Sequence, residues 1–365
     1  MLLQPSADCQ KCDESYPCQE CARRGTQCQF QPTREKVRPL VELRKSDSRV
    51  AYRPRSGQAC IGLIASQHDG LQLEQLALLH HYITSTSGTL AFRAITRPVW
   101  EVVIPREAYG HGFLIHCLLA VSAQHQSVLY RDITLSLRYQ AISAYHQNRA
   151  LAGYWDVFSN ANTRENCFAL YAASALVTVF ACAPDVQAKV SAIDKVVGLF
   201  RTCVGVAILF QQWRKHMLAT PLAPLMQLYA EKTDKGSDEI FLLEESLYSL
   251  QNIIHANDCL CLSERSTYQA ALTSLKMCIN VLRISRSYAE CLPVWPVAMP
   301  REFPAFVSRH EPIALVLLAH YAVLLYKARD IWFIGDLGRR VIDEIACLLP
   351  EEMAEFVKWP VSFCA

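Results

Sequence analysis

Residues 106–130, REAYGHGFLIHCLLAVSAQHQSVLY, decide the fold. Phe113, Leu114, Cys117, Leu118 and Val121 return at three- and four-residue steps, which lays them along one face of a helix. A strand would need strict apolar–polar alternation, and none competes here. Upstream, Leu71, Leu73, Leu76, Leu79, Tyr82 and Ile83 keep the same period until Gly88, and Pro105 opens the next segment. Downstream, a helix is expected from Thr134 to about Leu151. Thr163 is placed as the N-cap of an apolar run ending near Ala181. Pro184 and Asp185 separate that run from a helix over Val186–Phe200, and further helices are expected near 204–218, 238–256, 266–288, 312–328 and 337–348. Residues 71–365 therefore read as one all-α domain.

Composition agrees with a large buried core. Of 365 residues, 52% are hydrophobic and 19% charged, which is globular rather than disordered. The formal net charge is +2, so the chain is no polycation and any nucleic-acid contact must come from a local basic region. Two apolar runs, Cys167–Ala183 and Pro312–Tyr326, are at or below the length of a membrane-spanning helix, and neither has the flanking Lys/Arg asymmetry that would orient one. They are expected to be buried central helices, with no membrane span.

The first 28 residues have a different character. Cys9, Cys12, Cys18, Cys21 and Cys28 fall within twenty residues, spaced C-x2-C-x5-C-x2-C-x6-C. A C-x2-C pair sets two sulfurs on one turn at the separation a tetrahedral Zn2+ needs, and two such pairs occur here. The opening MLLQPSADCQ has no basic region followed by an apolar one, so a reducing compartment is expected and clustered thiols point to metal rather than to disulfides. The other eleven cysteines are scattered, mostly in apolar runs, as buried small hydrophobes would be, and Cys259 and Cys261 are read as core positions too. Between 29 and 70 lies a basic linker. From Arg34 to Arg55 eight basic residues face three acidic ones, with Pro32, Pro39, Pro54 and Gly57 interrupting any period. It is either a solvated connector or a set of phosphate contacts.

The run CDESYPCQECARRGTQC, from Cys12 to Cys28, resembles the last four cysteines of the fungal Zn2Cys6 binuclear cluster. Asp13 after one cysteine, Pro17 before the next, and Ala22-Arg23-Arg24-Gly25 after Cys21 are all usual in that family. The family places a further cysteine pair and a basic segment upstream, where a helix starts that enters the major groove and reads a short G/C-rich half-site. Here only Cys9, Gln10 and Lys11 precede Cys12 in that role. Two tetrahedral zincs need eight ligand positions, and five thiolates with two bridging fill seven. Asp8, Asp13 or water would supply the eighth, and a single zinc on Cys9, Cys12, Cys18 and Cys21 is the alternative. The expectation is a chain that begins late or is misjoined relative to its gene product; the alternative is a degenerate regulator.

A second resemblance covers roughly residues 71–360. Leu78-Leu79-His80-His81-Tyr82, Trp100-Glu101 with Ile104-Pro105-Arg106-Glu107-Ala108, and the run from His111 to His125 come in order. Glu165-Asn166-Cys167, Trp295-Pro296, Glu302-Phe303, Pro312 with His320-Tyr321-Ala322, Trp332 and Trp359-Pro360 follow. This series is similar to the C-terminal regulatory domain of fungal sterol-uptake-control transcription factors and their relatives. The resemblance implies an all-α effector-sensing domain, with a sterol as one candidate effector.

Other constellations are weaker. His80, His81, His111, His116, His125 and His320 share no H-E-x2-H spacing and are expected to be core or capping histidines. Trp100, Trp155, Trp213, Trp295, Trp332 and Trp359 either line a pocket or are plain core. No nucleophile elbow, Walker loop or dinucleotide fingerprint appears, so no enzyme is expected. The expected function is a nuclear, zinc-dependent, DNA-binding transcription regulator, with cytoplasm–nucleus shuttling and dimerisation left open. Zn2+ would sit on Cys9, Cys12, Cys18, Cys21 and Cys28, and DNA phosphates would meet Lys11, Arg23, Arg24, Arg34, Lys36 and Arg38. The alternative is a sterol- or lipid-sensing or partner-binding protein without DNA activity.

Overall fold

The computed structural model describes Arg23 and residues 72–160, 163–184, 190–227, 238–256 and 260–364. Contacts divide the chain into two units, Met1–His68 and Asp69–Ala365. In the first, only Arg23 is described, helical and exposed. The second is all-α, with no strand among the described residues.

Its long helices are α1 (Leu73–His81), α2 (Gly112–Leu129), α3 (Ile133–Asn160), α4 (Thr163–Cys182), α5 (Ala192–Met217), α6 (Asp238–Ala256), α7 (Leu262–Ser285), α8 (Pro312–Lys327) and α9 (Leu337–Leu348). A short α10 (Lys358–Phe363) ends the described chain. The helices pack mostly against their chain neighbours: α2 on α3, α4 on α5, α6 on α7 and α8 on α9. Longer-range packing of α2 on α4 and of α9 on α5 joins these pairs.

The opening stretch behaves as its period requires. Phe113, Leu114, Cys117, Leu118 and Val121 are all buried on α2, each large side chain contributing roughly 1.5–3 kcal/mol by leaving water. In α8 every residue from Ile313 to Leu325 is buried, so this helix is apolar all round because it is enclosed all round. By length and composition alone, Gly112–Leu129 and Glu165–Cys182 could cross a membrane, but 67% and 50% of those windows are buried inside the protein. Both of the apolar runs noted in the sequence, in α4 and α8, are packed helices of this core.

Several boundaries differ from the periodic reading. The helix expected to stop near Leu151 runs on to Asn160, since nothing between Ala152 and Ser159 breaks it except the tolerated Gly153. The helices expected over Val186–Phe200 and 204–218 are, where described, one helix, α5. Arg201-Thr202-Cys203 contains no breaker, and the Thr202 hydroxyl donates to Gly198 O inside the turn (3.0 Å). Before Gly88, α1 passes into a π-helical turn over Tyr82–Thr86. A second π-turn, Val99–Val103, lies beside it, and the buried Tyr82 hydroxyl donates to Trp100 O (3.3 Å). Thr163 is the first helical residue of α4 rather than the residue before it.

Two devices fix the helix order. Gly338 of α9 lies so close to α8 that a Cβ there would stand 2.3 Å from Tyr326 N and 2.6 Å from Ala322 O, so only glycine lets these helices meet. Glu344 of α9 caps the N-terminus of α5, accepting from Ser191 Oγ, from Ala192 N (2.7 Å) and from Ile193 N (3.3 Å).

Candidate functional site

Cys9, Cys12, Cys18, Cys21, Cys28, Lys11, Arg24, Arg34, Lys36 and Arg38 lie outside the described residues. The donor chemistry of the cysteines, soft thiolates with Cys9/Cys12 and Cys18/Cys21 in C-x2-C pairs, fits Zn2+.

Among the described residues, no three or more His, Cys, Asp or Glu side chains gather as a metal site. Cys117, Cys167, Cys182, Cys203, Cys278, Cys291 and Cys364 are buried. Burial pushes the thiols of Cys117, Cys182 and Cys203 up to about 12, which keeps them protonated packing groups. Cys261 corrects the core reading. It is exposed and caps α7, its sulfur accepting from Glu264 N (3.4 Å) while Glu264 accepts from Cys261 N (3.0 Å). Cys347 is exposed as well.

The histidines split into separate environments. His111 sits against Glu107 (3.2 Å) in the turn before α2. His116 and His146 join α2 to α3 through their Nδ1 atoms (2.8 Å). Burial pushes His146 down to about 4, and it lowers His116 as well. His125 bonds the Thr86 hydroxyl through Nδ1 (3.0 Å) and stacks on Trp332, whose Nε1 donates to Thr89 Oγ1 (2.9 Å). His125 ties the π-turn to α2, and the His116–His146 pair ties α2 to α3.

The tryptophans divide likewise. Trp295 is fully enclosed by Phe200, Phe303 and Tyr321, with Nε1 donating to Ala271 O (2.9 Å). Trp155 is 59% exposed, so it is neither core nor pocket wall. Trp359 stands where a wall is needed.

That place is the seam between α6 and α8, roofed by the C-terminal segment. Two apolar gaps open along it. One, a small gap of about 10 Å3, lies between Leu243 of α6, Leu282 of α7, Val323 of α8 and Trp359 and Phe363 of α10. The other, also about 10 Å3, lies between Leu250, Val316 and Met353. Between them in sequence register is a single polar pair. His320 Nε2 meets Ser246 Oγ at 2.7 Å, and Nδ1 meets Val316 O at 2.8 Å, the arrangement of an Nδ1–H tautomer accepting the serine proton. The Trp359 ring stacks over His320 (6.3 Å). Full burial pushes His320 down to about 4, so it is neutral. The seam is closely packed, each gap having room for about one water molecule, and holds one neutral hydrogen-bonding pair beside them.

His320 was visible in the sequence as the lone polar residue of an apolar run. Ser246, Leu243 and Lys327 carried no signal of their own, because their place depends on how α6 crosses α8.

No protein-family model matches the chain. Over 317 residues it is 23% identical to a Zn(2)-C6 fungal-type transcription factor of Gibberella zeae, a match spanning 80% of this chain and 62% of that protein. Over 127 residues it is 32% identical to the Zn(2)-C6 fungal-type transcription factor afumD of Aspergillus fumigatus, covering 33% of this chain and 31% of that protein. A 63-residue stretch is 38% identical to sterol uptake control protein 2 of Saccharomyces cerevisiae, 17% of this chain and 7% of that protein. The matches thus span less than two thirds of each relative. These names bear out both resemblances drawn from the residues, to the fungal zinc-cluster regulators and to the sterol-uptake-control group.

Proposed function

We propose that this chain is a transcription regulator of the fungal zinc-cluster type, binding DNA in the nucleus and sensing an effector through its helical unit. The observation that carries this is the similarity along 80% of the chain to a protein named as such a factor. The cysteine series supports it by supplying thiolates at zinc spacing. In this reading Cys9, Cys12, Cys18, Cys21 and Cys28 hold Zn2+, with Asp8 or Asp13 as the further oxygen donor of a two-zinc site. Zinc would fix the segment that carries Lys11, Arg23 and Arg24 to DNA phosphates. Arg34, Lys36 and Arg38 of the linker would add salt-sensitive contacts. The genes controlled would be those of one pathway, of sterol and lipid or secondary metabolism, and the role is not catalytic.

The thiolate arithmetic favours a second reading. Five thiolates leave one position of a binuclear cluster unfilled, which suits a sensor or partner-binding protein that has given up DNA reading. A gel shift with zinc-loaded protein separates the two. Preference for G/C-rich half-sites over random duplex is expected; equal binding to both would remove the sequence-specific reading. Metal analysis by mass spectrometry accompanies it, with one or two zincs per chain expected and none sinking the zinc assignment.

A further inference from the structure

The long helix α3 has two contrasting faces. It packs on α2 and α4, and on that side Ser136, Ser143, His146, Ala150 and Tyr154 are buried. On the outer side Ala141, Tyr145, Asn148, Ala152 and Trp155 recur at steps of four and three, and all of them are exposed. A solvated helix face is ordinarily charged. The centre line of this one carries two alanines, two aromatics and an amide, and no charge. Tyr145 and Trp155 are 56% and 59% exposed. Each ring is nonetheless propped by its own helix. Trp155 stands edge-on to Tyr154 and Phe158 (5.7 Å to each), and Tyr145 stands edge-on to His146 (5.1 Å). Supported, exposed rings alternating with alanines make a surface of knobs and hollows.

We propose that this stripe is a contact between two copies of the chain, their α3 helices packed antiparallel about a twofold axis at Asn148. Ala141 and Trp155 lie seven residues to either side of Asn148, close to two helical turns each way. An antiparallel pair centred there sets Trp155 of each copy against Ala141 of the other. Ala152 of each comes level with Ala144 of the other, beside its Tyr145. Large therefore meets small in both directions. A parallel pair in register would set Trp155 on Trp155 and leave Ala141 facing Ala141. The two Asn148 amides meet at the axis, where each can donate to and accept from the other. Charge follows the same register. Arg138 of one copy comes within about 3 Å, measured along the helix, of the level of Asp156 of the other. Its exposed pair with Glu74 leaves the Arg138 side chain 66% accessible, so a second carboxylate can share it. The four aromatic rings of such a pair would bury roughly 350–550 Å2, against about 1,200–2,000 Å2 for a stable interface. The remainder would come from the alanines, Asn148 and the stems of Arg138 and Arg149, which makes the dimer a reversible one.

The test is sedimentation velocity of the zinc-loaded full chain over a micromolar concentration series. A concentration-dependent monomer–dimer equilibrium is expected. Trp155→Glu should weaken the dimer about tenfold or more, with the far-UV helical signal unchanged. Ala141→Trp should do the same by setting tryptophan against tryptophan. The double variant Ala141→Trp/Trp155→Ala exchanges the large and small positions and should recover most of the affinity. A merely structural role for Trp155 gives no such rescue. The contact itself is read by placing the photo-cross-linker p-benzoylphenylalanine at position 148. Illumination should join two copies, with peptide mapping placing the bond within residues 144–152 of the other copy. A wild type that stays monomeric throughout the series, a dimer indifferent to Trp155→Glu, or a double variant that does not recover would each overturn the proposal. So would a cross-link that maps to residues 1–68, which would give the face to the chain's own N-terminal unit, or to any helix other than α3.

Discussion

At the scale of single residues, several buried polar groups of this core meet partners, while His81 Nε2, Gln140 Nε2 and Trp213 Nε1 are buried without one. His320 is the clearest case: fully buried, neutral, and bonded on both nitrogens. Its folded-state pKa of about 4 lies below the ordinary 6.5, so the folded protein binds fewer protons than the unfolded chain between those values. The stability it supports is present above pH 6.5 and is lost as pH falls towards 4. Lowering the pH from 7.5 to 5 should cost on the order of 2 kcal/mol through this group, read as a fall in the denaturant midpoint. His125 and His146, also pushed down to about 4, shift stability in the same direction. Replacing His320→Gln should flatten the profile. If wild type and variant lose the same stability over that range, the neutral buried imidazole is not what makes the fold acid-sensitive. The period placed His320 correctly in a buried helix. Its partner Ser246 could not be read, since a serine on a helix face is silent until the facing helix is known.

At the scale of elements, helix existence was legible and helix ends were not. The three- and four-step period of α2, α7 and α8 reflects one-sided or complete burial, which local sequence records well. Ends depend on partners far away in the chain. The N-terminus of α5 is an example, because its exposed amides are met by Glu344 from α9, some 150 residues later (|i−j| of 152 and 151). No local motif announces such a cap. Local signals suggested a break near residue 200, yet α5 continues through it, packed against α4 and held at its start by a distant carboxylate. Glu344→Ala would leave Ala192 N and Ile193 N short of an acceptor and remove the charge at the positive end of the helix dipole. A loss of about 1–3 kcal/mol is expected in urea unfolding at unchanged m-value, with Glu344→Gln recovering part of it. An unaltered midpoint in Glu344→Ala would show that Ser191, whose hydroxyl already accepts from Asp194 N (3.1 Å), caps α5 unaided.

At the scale of the whole molecule, the chain divides between residues 68 and 69, and its proposed chemistry divides with it. The cysteines and the basic linker were read from spacing and charge, properties written in the local sequence. The seam between α6 and α8 was not foreseen, because three helices and the C-terminal segment must converge before it exists. In the proposed reading, a zinc module stabilised by its metal and a helical unit stabilised by burial would respond to different insults. The first would stand on thiolate–zinc bonds, whose free energy would also be its folding free energy. The second holds no gathered metal ligands among its described residues and rests on enclosed helices such as α8. A strong chelator added to the full chain should therefore abolish retention on G/C-rich DNA while leaving the far-UV helical signal and the thermal midpoint of the main transition within about 2 °C, the shift that a change of about 1 kcal/mol gives in a domain of this size. Re-addition of Zn2+ should restore DNA retention without moving that transition. The same titration in Cys18→Ala should show weaker DNA retention even with zinc in excess, since one fewer thiolate lowers the metal affinity on which the module depends. A large drop in the main thermal transition on chelation would mean that the two units stabilise each other. The metal would then act as a structural support for the helical core as well as for the DNA-facing segment.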